Sequence, residues 1–216
     1  MTDDDLVRNV TQELFWDPKV DHVEIAVAAD DGVVTLRGTV GSFRQKREAK
    51  RAAERVFGVK KVANELQVRL LGEFGREDAE LRGDVLQALM LDTVVPRSID
   101  ARVLDGEVTL TGHADWQFQR DEAEFVASNV PGVIEVWDDV RLTRSDPGVA
   151  NIEDSIRMAL MRNARLAEEA LAIDARNGTV TIEGTVGSWS QHDDAIAVAW
   201  AAPGVTAVDD RILVEY

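Results

Sequence analysis

The sequence predicts an α+β protein made of three tandem copies of one α-β-β-α-β unit, each a small three-stranded sheet with two helices on one face. Two observations lead to this prediction. A motif of the form Asp/Asn-Gly-x-Val-Thr-Leu/Ile-x-Gly recurs at residues 31–38, 105–112 and 177–184. In every copy a Gly-Val pair follows the first glycine of the motif after 26 residues, and these pairs begin at Gly58, Gly132 and Gly204. Three gapless matches of that length indicate a true repeat.

Each copy begins with an amphipathic helix and continues into a hairpin. Apolar residues four apart form one stripe of that helix. They are Leu6, Val10 and Leu14, then Leu81, Val85 and Leu89, and finally Ile152, Ile156 and Leu160. In the first copy an alternating strand with Val23, Ile25 and Val27 follows. The Asp-Gly or Asn-Gly pair that comes next predicts a tight hairpin turn, because these residues tolerate positive φ.

The second half of each copy is predicted to be a strand, a helix and a final strand. In the first copy Val34 and Leu36 alternate with polar residues, which is typical of a strand with one buried face. The apolar residues of the following helix share one face and are Ala49, Ala52, Ala53 and Val56. Residues 42–45 and 188–191 have the form of a capping box at the helix start. Gly58 is suited to the helix end.

The predicted domains are residues 1–71, 76–143 and 148–216, joined by short linkers at 71–75 and 144–148. The motif, the Ala-rich second helix and the Gly-Val pair together resemble the BON domain, a family named after bacterial osmotic-stress and nodulation proteins. The resemblance covers nearly the whole chain and implies the same α-β-β-α-β fold. It also implies a non-enzymatic role in binding phospholipid surfaces or other envelope components, and some intracellular members of the family bind potassium.

Composition and charge exclude several classes of function. The chain has 216 residues, of which 45% are hydrophobic and 30% charged, and none is cysteine. A disulfide framework and thiolate metal sites are therefore excluded. The net charge of −16 argues against nucleic acid as a partner. Because residues 1–5 resemble no secretion signal and no apolar stretch is long enough to span a bilayer, we expect a cytoplasmic protein, at most peripheral to a membrane.

The sequence contains no pattern typical of catalysis or metal binding. His22, His113 and His192 occupy different positions in their copies, so we do not expect them to converge on a metal ion. The acidic pairs at 138–139 and 209–210 lie on predicted strands, where neighbouring side chains point to opposite faces. We therefore predict no catalytic residue, no metal ligand set and no cofactor. A potassium site built from backbone carbonyls would leave no trace in the sequence and stays open.

Charge is distributed unevenly among the copies. Residues 1–71 carry 12 basic and 12 acidic side chains (net 0), residues 72–143 carry 6 and 16 (net −10), and residues 144–216 carry 6 and 12 (net −6). Much of the positive charge lies on the outer side of the second helix of the first copy. With Trp16 as a loop-borne aromatic anchor, these residues form the candidate site for an anionic surface: Arg44, Lys46, Arg47, Lys50, Arg51 and Arg55. The alternative is a solvated helix face with i,i+4 ion pairs.

The second helices of the other two copies are more apolar on their outer sides. In the second copy, Phe118 and Phe125 stand where the first copy has Arg44 and Arg51. The helix of the third copy is apolar all round over residues 195–202. We predict that these helices are covered by each other or by a second chain, which would make a homo-oligomer. The candidates for interdomain packing are Phe118, Phe125, Ile196, Ala197 and Trp200.

These observations lead to one functional hypothesis and one alternative. The hypothesis is a non-catalytic, stress-related binding or scaffold protein that engages an anionic phospholipid surface or a protein partner through the basic helix of the first copy. The alternative is an intracellular sensor of potassium or of another small ligand.

Overall fold

The structure is a computed structural model that describes residues 2–69, 77–143, 152–163, 166 and 171–216. The predicted linkers at 71–75 and 144–148 lie outside the described residues. The chain forms two compact units, the first comprising Met1–Gly112 with Asp121–Val140 and the second His113–Arg120 with Arg141–Tyr216.

The described elements follow the order α-β-β-α-β three times, which confirms the predicted fold class. Repeat 1 consists of α1 (Asp3–Trp16), β1 (Ile25–Asp30), β2 (Val33–Val40), α2 (Phe43–Glu54) and β3 (Lys61–Val68). Repeat 2 consists of α3 (Asp78–Leu91), β4 (Asp100–Leu104), β5 (Glu107–Ala114), α4 (Gln117–Ser128) and β6 (Glu135–Leu142). Repeat 3 consists of α5 (Ile152–Arg162), β7 (Ala172–Arg176), β8 (Thr179–Val186), α6 (Trp189–Trp200) and β9 (Ala207–Val214).

Each repeat forms its own three-stranded sheet, with strands in the order β1-β2-β3, β4-β5-β6 and β7-β8-β9. In repeat 1 the hairpin strands β1 and β2 are antiparallel, with Asp30 opposite Val33. The last strand runs parallel to β2, with Val33 opposite Lys61. Strands β8 and β9 are parallel in the same way. The second helices of repeats 1 and 3, α2 and α6, are thus the crossovers that a parallel pair requires.

The hairpin turns have the conformation that the Asp-Gly and Asn-Gly pairs predict. Asp31 and Gly32 have φ values of 45° and 81°. The corresponding pairs in repeats 2 and 3 also have positive φ. Two successive residues with positive φ match the twist of the flanking strands. The turn prediction is therefore confirmed in all three repeats.

The last glycine of the motif has a different role, which the sequence did not reveal. Gly38 has a φ of 126°, and a Cβ atom at this position would overlap the carbonyl oxygen of Glu24. Gly112 of repeat 2 has a φ of 114° and approaches the carbonyl of Ser98 in the same way. The chain that enters the first strand therefore passes too close to β2 for any larger residue.

The core of each repeat lies between the sheet and its two helices. In repeat 1 it contains the predicted stripe of α1, the inward residues of β2 and the alanines of α2. One prediction in this repeat is wrong: Val23 is exposed and lies outside β1, which begins at Ile25. The reason is a turn before the strand, in which the backbone N–H of Ile25 donates to the carbonyl of His22 at 3.0 Å.

Candidate functional site

Helix α2 carries the candidate basic residues and is held to repeat 1 by a stripe of small side chains. Ser42 Oγ accepts a hydrogen bond from the backbone N–H of Gln45 at 3.2 Å, which satisfies a free donor at the helix start. Gln45 Oε1 accepts from the backbone N–H of Gly41 at 3.4 Å, one residue before the cap. Ala49 and Ala52 are fully buried against the core. This arrangement leaves the long basic side chains on the outside of the helix.

The basic residues near the start of α2 contact repeat 2. Lys46 Nζ lies 2.6 Å from Glu135 Oε2, and the two side chains are 20% and 27% exposed. Arg47 Nη1 lies 3.2 Å from Glu124 Oε1, without hydrogen-bond geometry. Glu124 belongs to α4, and Glu135 is the first residue of β6. Both pairs are removed from much of the solvent, which strengthens their electrostatic attraction.

Arg44 contacts repeat 2 in two ways. Its Nη1 donates a hydrogen bond to Asn129 Oδ1 at 2.8 Å. Its guanidinium lies 5.5 Å from the ring centroid of Phe125, which is a cation–π contact. Arg44 itself remains exposed. Lys46 and Arg47 are named the covered half of α2 from here on. The sequence did not predict this contact between the first two repeats.

Lys50 and Arg51 of α2, together with Arg55 that caps the end of this helix, are about half exposed and form the open half. Lys50 Nζ lies 3.4 Å from Glu54 Oε1 of the same helix, an i,i+4 pair. Arg51 Nη1 lies 3.4 Å from Glu48 Oε1, an i,i+3 pair. Glu48 is itself buried, at 5% exposure. The open half therefore contains the ion pairs of the solvated-face alternative.

Arg55 joins the open half to the end of α1. Its Nε lies 3.0 Å from Glu13 Oε1, and its Nη2 lies 2.7 Å from Asp17 Oδ2. Burial alone would raise the pKa of Asp17, but hydrogen bonds from the Lys19 backbone N–H and from Arg55 outweigh it and lower that pKa. The Asp17 carboxylate therefore stays ionised and keeps Arg55 beside the end of α1.

The end of α1 presents an exposed aromatic cluster. Trp16, which the sequence placed in a loop, is the last residue of α1 and is 76% exposed. Phe15 beside it is 58% exposed. Its ring packs edge-on against Trp16 at 5.5 Å and against His22 at 5.1 Å. Phe15, Trp16 and His22 are named the aromatic tip. Sequence reasoning missed Phe15, although this residue lies outside the stripe of core residues spaced four apart in α1.

The same position is exposed and apolar in the other repeats. In repeat 2 the last two residues of α3, Met90 and Leu91, are 73% and 75% exposed. In repeat 3 Met161, near the end of α5, is also exposed. These exposed side chains at the ends of the first helices are not part of the hydrophobic cores of their repeats. Packing of the core therefore does not explain why all three positions are apolar.

The residues predicted for interdomain packing have different surroundings. Phe118 is exposed, and Phe125 is partly covered by the guanidinium of Arg44. Ile196 and Trp200 are half-buried and pack against the core of repeat 3. Ala197 is exposed. Packing of the last three residues against another domain or a second chain stays a prediction.

The histidines and acidic pairs take part in local contacts. His192 Nε2 lies 2.8 Å from Asp210 Oδ2 and its Nδ1 lies 3.1 Å from Asp193 Oδ1. Asp209 and Asp210 are neighbours on β9, so their side chains point to opposite faces of the sheet. Asp209 accordingly has a different partner and forms an ion pair with Arg211 at 2.7 Å. Within the described ranges, no three His, Asp or Glu side chains are arranged to hold a metal ion. In the same part of the chain, no helix is long and apolar enough to cross a membrane.

Similar proteins are known from sequence and from structure. The model of the BON domain family matches residues 2–69, 77–144 and 148–216. Osmotically-inducible protein Y of Escherichia coli (strain K12) is 34% identical over 146 residues, which are 65% of this chain and 73% of that protein. Two solved structures of CdsD, a structural protein of the type III secretion system of Chlamydia trachomatis, cover 98% and 100% of this chain and 92% and 100% of their own chains. They share 14% and 12% identity with it, at TM-scores of 0.25 and 0.27, and at such scores the likeness carries no argument.

Proposed function

The chain belongs to the BON domain family, and from this premise we propose that it is a stress-related binding protein that attaches to anionic phospholipid surfaces. Attachment uses the aromatic tip together with the open half of α2. The observation that carries this proposal is the exposure of Phe15 and Trp16 at the end of a helix that Arg55 joins to α2. The link to stress rests on the relative named osmotically-inducible protein Y.

Two physical effects support this mode of attachment. Tryptophan is enriched at membrane–water interfaces, because its ring is apolar and its N–H is polar. Each basic side chain near an anionic bilayer adds about 1 kcal/mol of attraction. Lys50, Arg51 and Arg55 each have a carboxylate partner already, so their local net charge is small. The aromatic tip therefore contributes more to attachment, and the basic residues favour anionic over zwitterionic lipid by exchanging carboxylate for phosphate partners.

Co-sedimentation with vesicles tests the proposal. The full chain is mixed with vesicles of phosphatidylcholine alone or of phosphatidylcholine with phosphatidylglycerol, at two salt concentrations. We expect binding only with phosphatidylglycerol, weakened by salt. The variant W16A should bind about tenfold more weakly, which corresponds to about 1.4 kcal/mol. The matched control is W137A, which removes another exposed tryptophan, one whose Nε1 donates to Glu107 at 3.0 Å.

The outcomes separate this function from its alternatives. Equal binding by wild type and W16A, or equal binding to both kinds of vesicle, would contradict attachment through the aromatic tip. The charge-reversal variants K50E and R51E should lose the preference for phosphatidylglycerol. A rise in melting temperature with potassium chloride but not with sodium chloride would instead favour the potassium-sensing alternative.

A further inference from the structure

The two halves of α2 differ in what faces their basic side chains. Lys50 and Arg51 pair with carboxylates of their own helix and remain about half exposed. Lys46 and Arg47 pair with carboxylates of repeat 2 and are only 20% and 21% exposed. Lys46 and Lys50 lie one turn apart on the same helix, and among the described residues only the Lys46 ammonium of these two has a carboxylate partner in repeat 2.

The surface of repeat 2 that faces α2 is strongly acidic. Burial raises the pKa of Glu124; the charges of Asp138 and Asp121 raise it further, while Arg47 and Arg51 lower it. Carboxylates that repel one another in this way are stabilised by any cation brought near them. The surrounding segment, residues 72–143, carries a net charge of −10, so repeat 1 supplies cations that repeat 2 itself has in short supply.

The contacts are of a kind that an external anion could replace. Among the described residues they include two ion pairs, a hydrogen bond from Arg44 to Asn129 and a cation–π contact from Arg44 to Phe125. Each of these four contacts is made by the end of a long basic side chain. Arg and Lys offer the same donors to a phosphate oxygen as to a carboxylate oxygen. Exchanging one for the other therefore needs no change in the backbone of α2.

We propose that repeat 2 is an internal ligand of α2, which occupies the covered half and keeps Lys46 and Arg47 from external anions. In the closed state the aromatic tip, the open half and the exposed Arg44 are available. Release of repeat 2 adds two basic side chains, Lys46 and Arg47, to the same helix and strengthens attachment. This regulation rests on the proposed function, but the covering of α2 by repeat 2 can be measured without any lipid.

The test neutralises the acidic partners in the full chain. The double variant E124Q/E135Q keeps the shape of both side chains and removes their charge. The first readout is amine acetylation followed by mass spectrometry, with Lys50 as internal reference. We expect Lys46 to react several-fold more slowly than Lys50 in the wild type and to approach it in the double variant. Unchanged reactivity of Lys46 in a folded double variant would overturn the proposal.

The second readout is co-sedimentation with vesicles of phosphatidylcholine and phosphatidylglycerol. We expect E124Q/E135Q to bind about three- to tenfold more tightly than the wild type. The control E80Q/D139N removes two exposed charges elsewhere in repeat 2 and should change binding much less. An equal gain in both variants would mean that total charge governs binding, and it would overturn the regulatory role.

A charge exchange keeps the test decisive if neutralisation disturbs folding. In K46E/E135K the attraction between the two positions is restored with its direction reversed. The measurement is a double-mutant cycle on the stability of the full chain, in which the exchange variant should recover most of the stability that K46E and E135K lose singly. No coupling between the two substitutions would overturn the pairing. If no variant binds vesicles, the proposed function and its regulation both fail, while the acetylation of Lys46 still decides whether repeat 2 covers α2.

Discussion

Helices α2 and α6 occupy the same position in repeats 1 and 3, and they differ almost only on their outer sides. Both start at a serine whose Oγ accepts from the backbone N–H three residues on, at 3.2 Å in each case. Both bury alanines at matching positions, Ala49 and Ala195. The inward residues therefore belong to the fold, and differences in function are to be sought on the outer side.

One outward position shows how far the two helices diverge. Lys46 of α2 reaches Glu135 in repeat 2. His192, at the matching position of α6, stays within repeat 3 and bridges Asp193 and Asp210. The same scaffold position thus joins two repeats in one case and two elements of a single repeat in the other. The side chain at this position, and not the backbone, decides which contact is made.

The largest expected effect tests whether the cores are equivalent. Leu36 and Ile182 occupy matching positions and are fully buried. Replacing either by alanine should lower the free energy of unfolding of its own repeat by about 2–5 kcal/mol. Denaturant titration with amide hydrogen exchange, resolved by repeat, measures this loss. The control V23A changes an exposed residue and should stay within about 0.5 kcal/mol. If one of the two alanine variants lost much less unfolding free energy than the other, the cores of repeats 1 and 3 would not be equivalent.

A smaller effect is expected at the close approach beside β2. G38A should lower the free energy of unfolding by about 1–3 kcal/mol, because φ is positive and the Cβ atom would meet the Glu24 carbonyl. G112A should act in the same way in repeat 2. The matched control is G83A, in the middle of α3 with no atom within 4 Å of the added Cβ, which should stabilise the protein by about 0.5–1 kcal/mol. If G38A were also stabilising, the close approach would be refuted.

The serine caps of α2 and α6 should contribute equally to the free energy of unfolding. S42A and S188A each remove the acceptor for one backbone N–H and should cost about 1 kcal/mol of unfolding free energy. Threonine at either position should recover most of that loss, since it also caps helices. Thermal and denaturant unfolding of the four variants measures the values. A cost confined to one helix would show that the shared start of α2 and α6 is only superficial.

The fold could be predicted from the sequence because its determinants are local and occur three times. The Asp31-Gly32 turn and the four-residue stripe of α1 are each visible within a few residues, and the repetition makes them unmistakable. The role of Gly38 could not be predicted in this way. It depends on a carbonyl that belongs to the chain before β1, and this close approach exists only in the folded protein.

The candidate site could be predicted only in part. The basic residues of α2 follow from spacing and charge, and the exposure of Trp16 is expected because this residue precedes Asp17-Pro18, where the sequence predicts a loop. The division into a covered and an open half does not, because Lys46 and Glu135 are 89 residues apart and no periodic signal links them. Phe15 was missed because an apolar residue beside a core stripe is normally read as part of the core. Trp137 could be given no face from the sequence, and the structure places it beside Glu107, to which its Nε1 donates a hydrogen bond at 3.0 Å.

The last prediction concerns a pH dependence of repeat 3 that His192 should cause. A hydrogen bond with Asp193 raises the pKa of His192; burial opposes this, and Asp210 raises the pKa further. A pKa raised in the folded state stabilises the protein below the unfolded value of about 6.5, and the gain is lost as pH rises through the folded value.

Unfolding of repeat 3 should therefore become easier as the pH rises above about 6.5, and H192Q should remove this slope. Hydrogen exchange over residues 171–216 at a series of pH values measures it. The matched variant K46Q should weaken the contact with Glu135 and leave the slope of repeat 3 unchanged. A slope that survives H192Q would assign the titration to another group. The contrast between the two helices would then rest on Lys46 alone, because His192 would be a packing residue against Trp189, whose ring centroid lies 4.8 Å away.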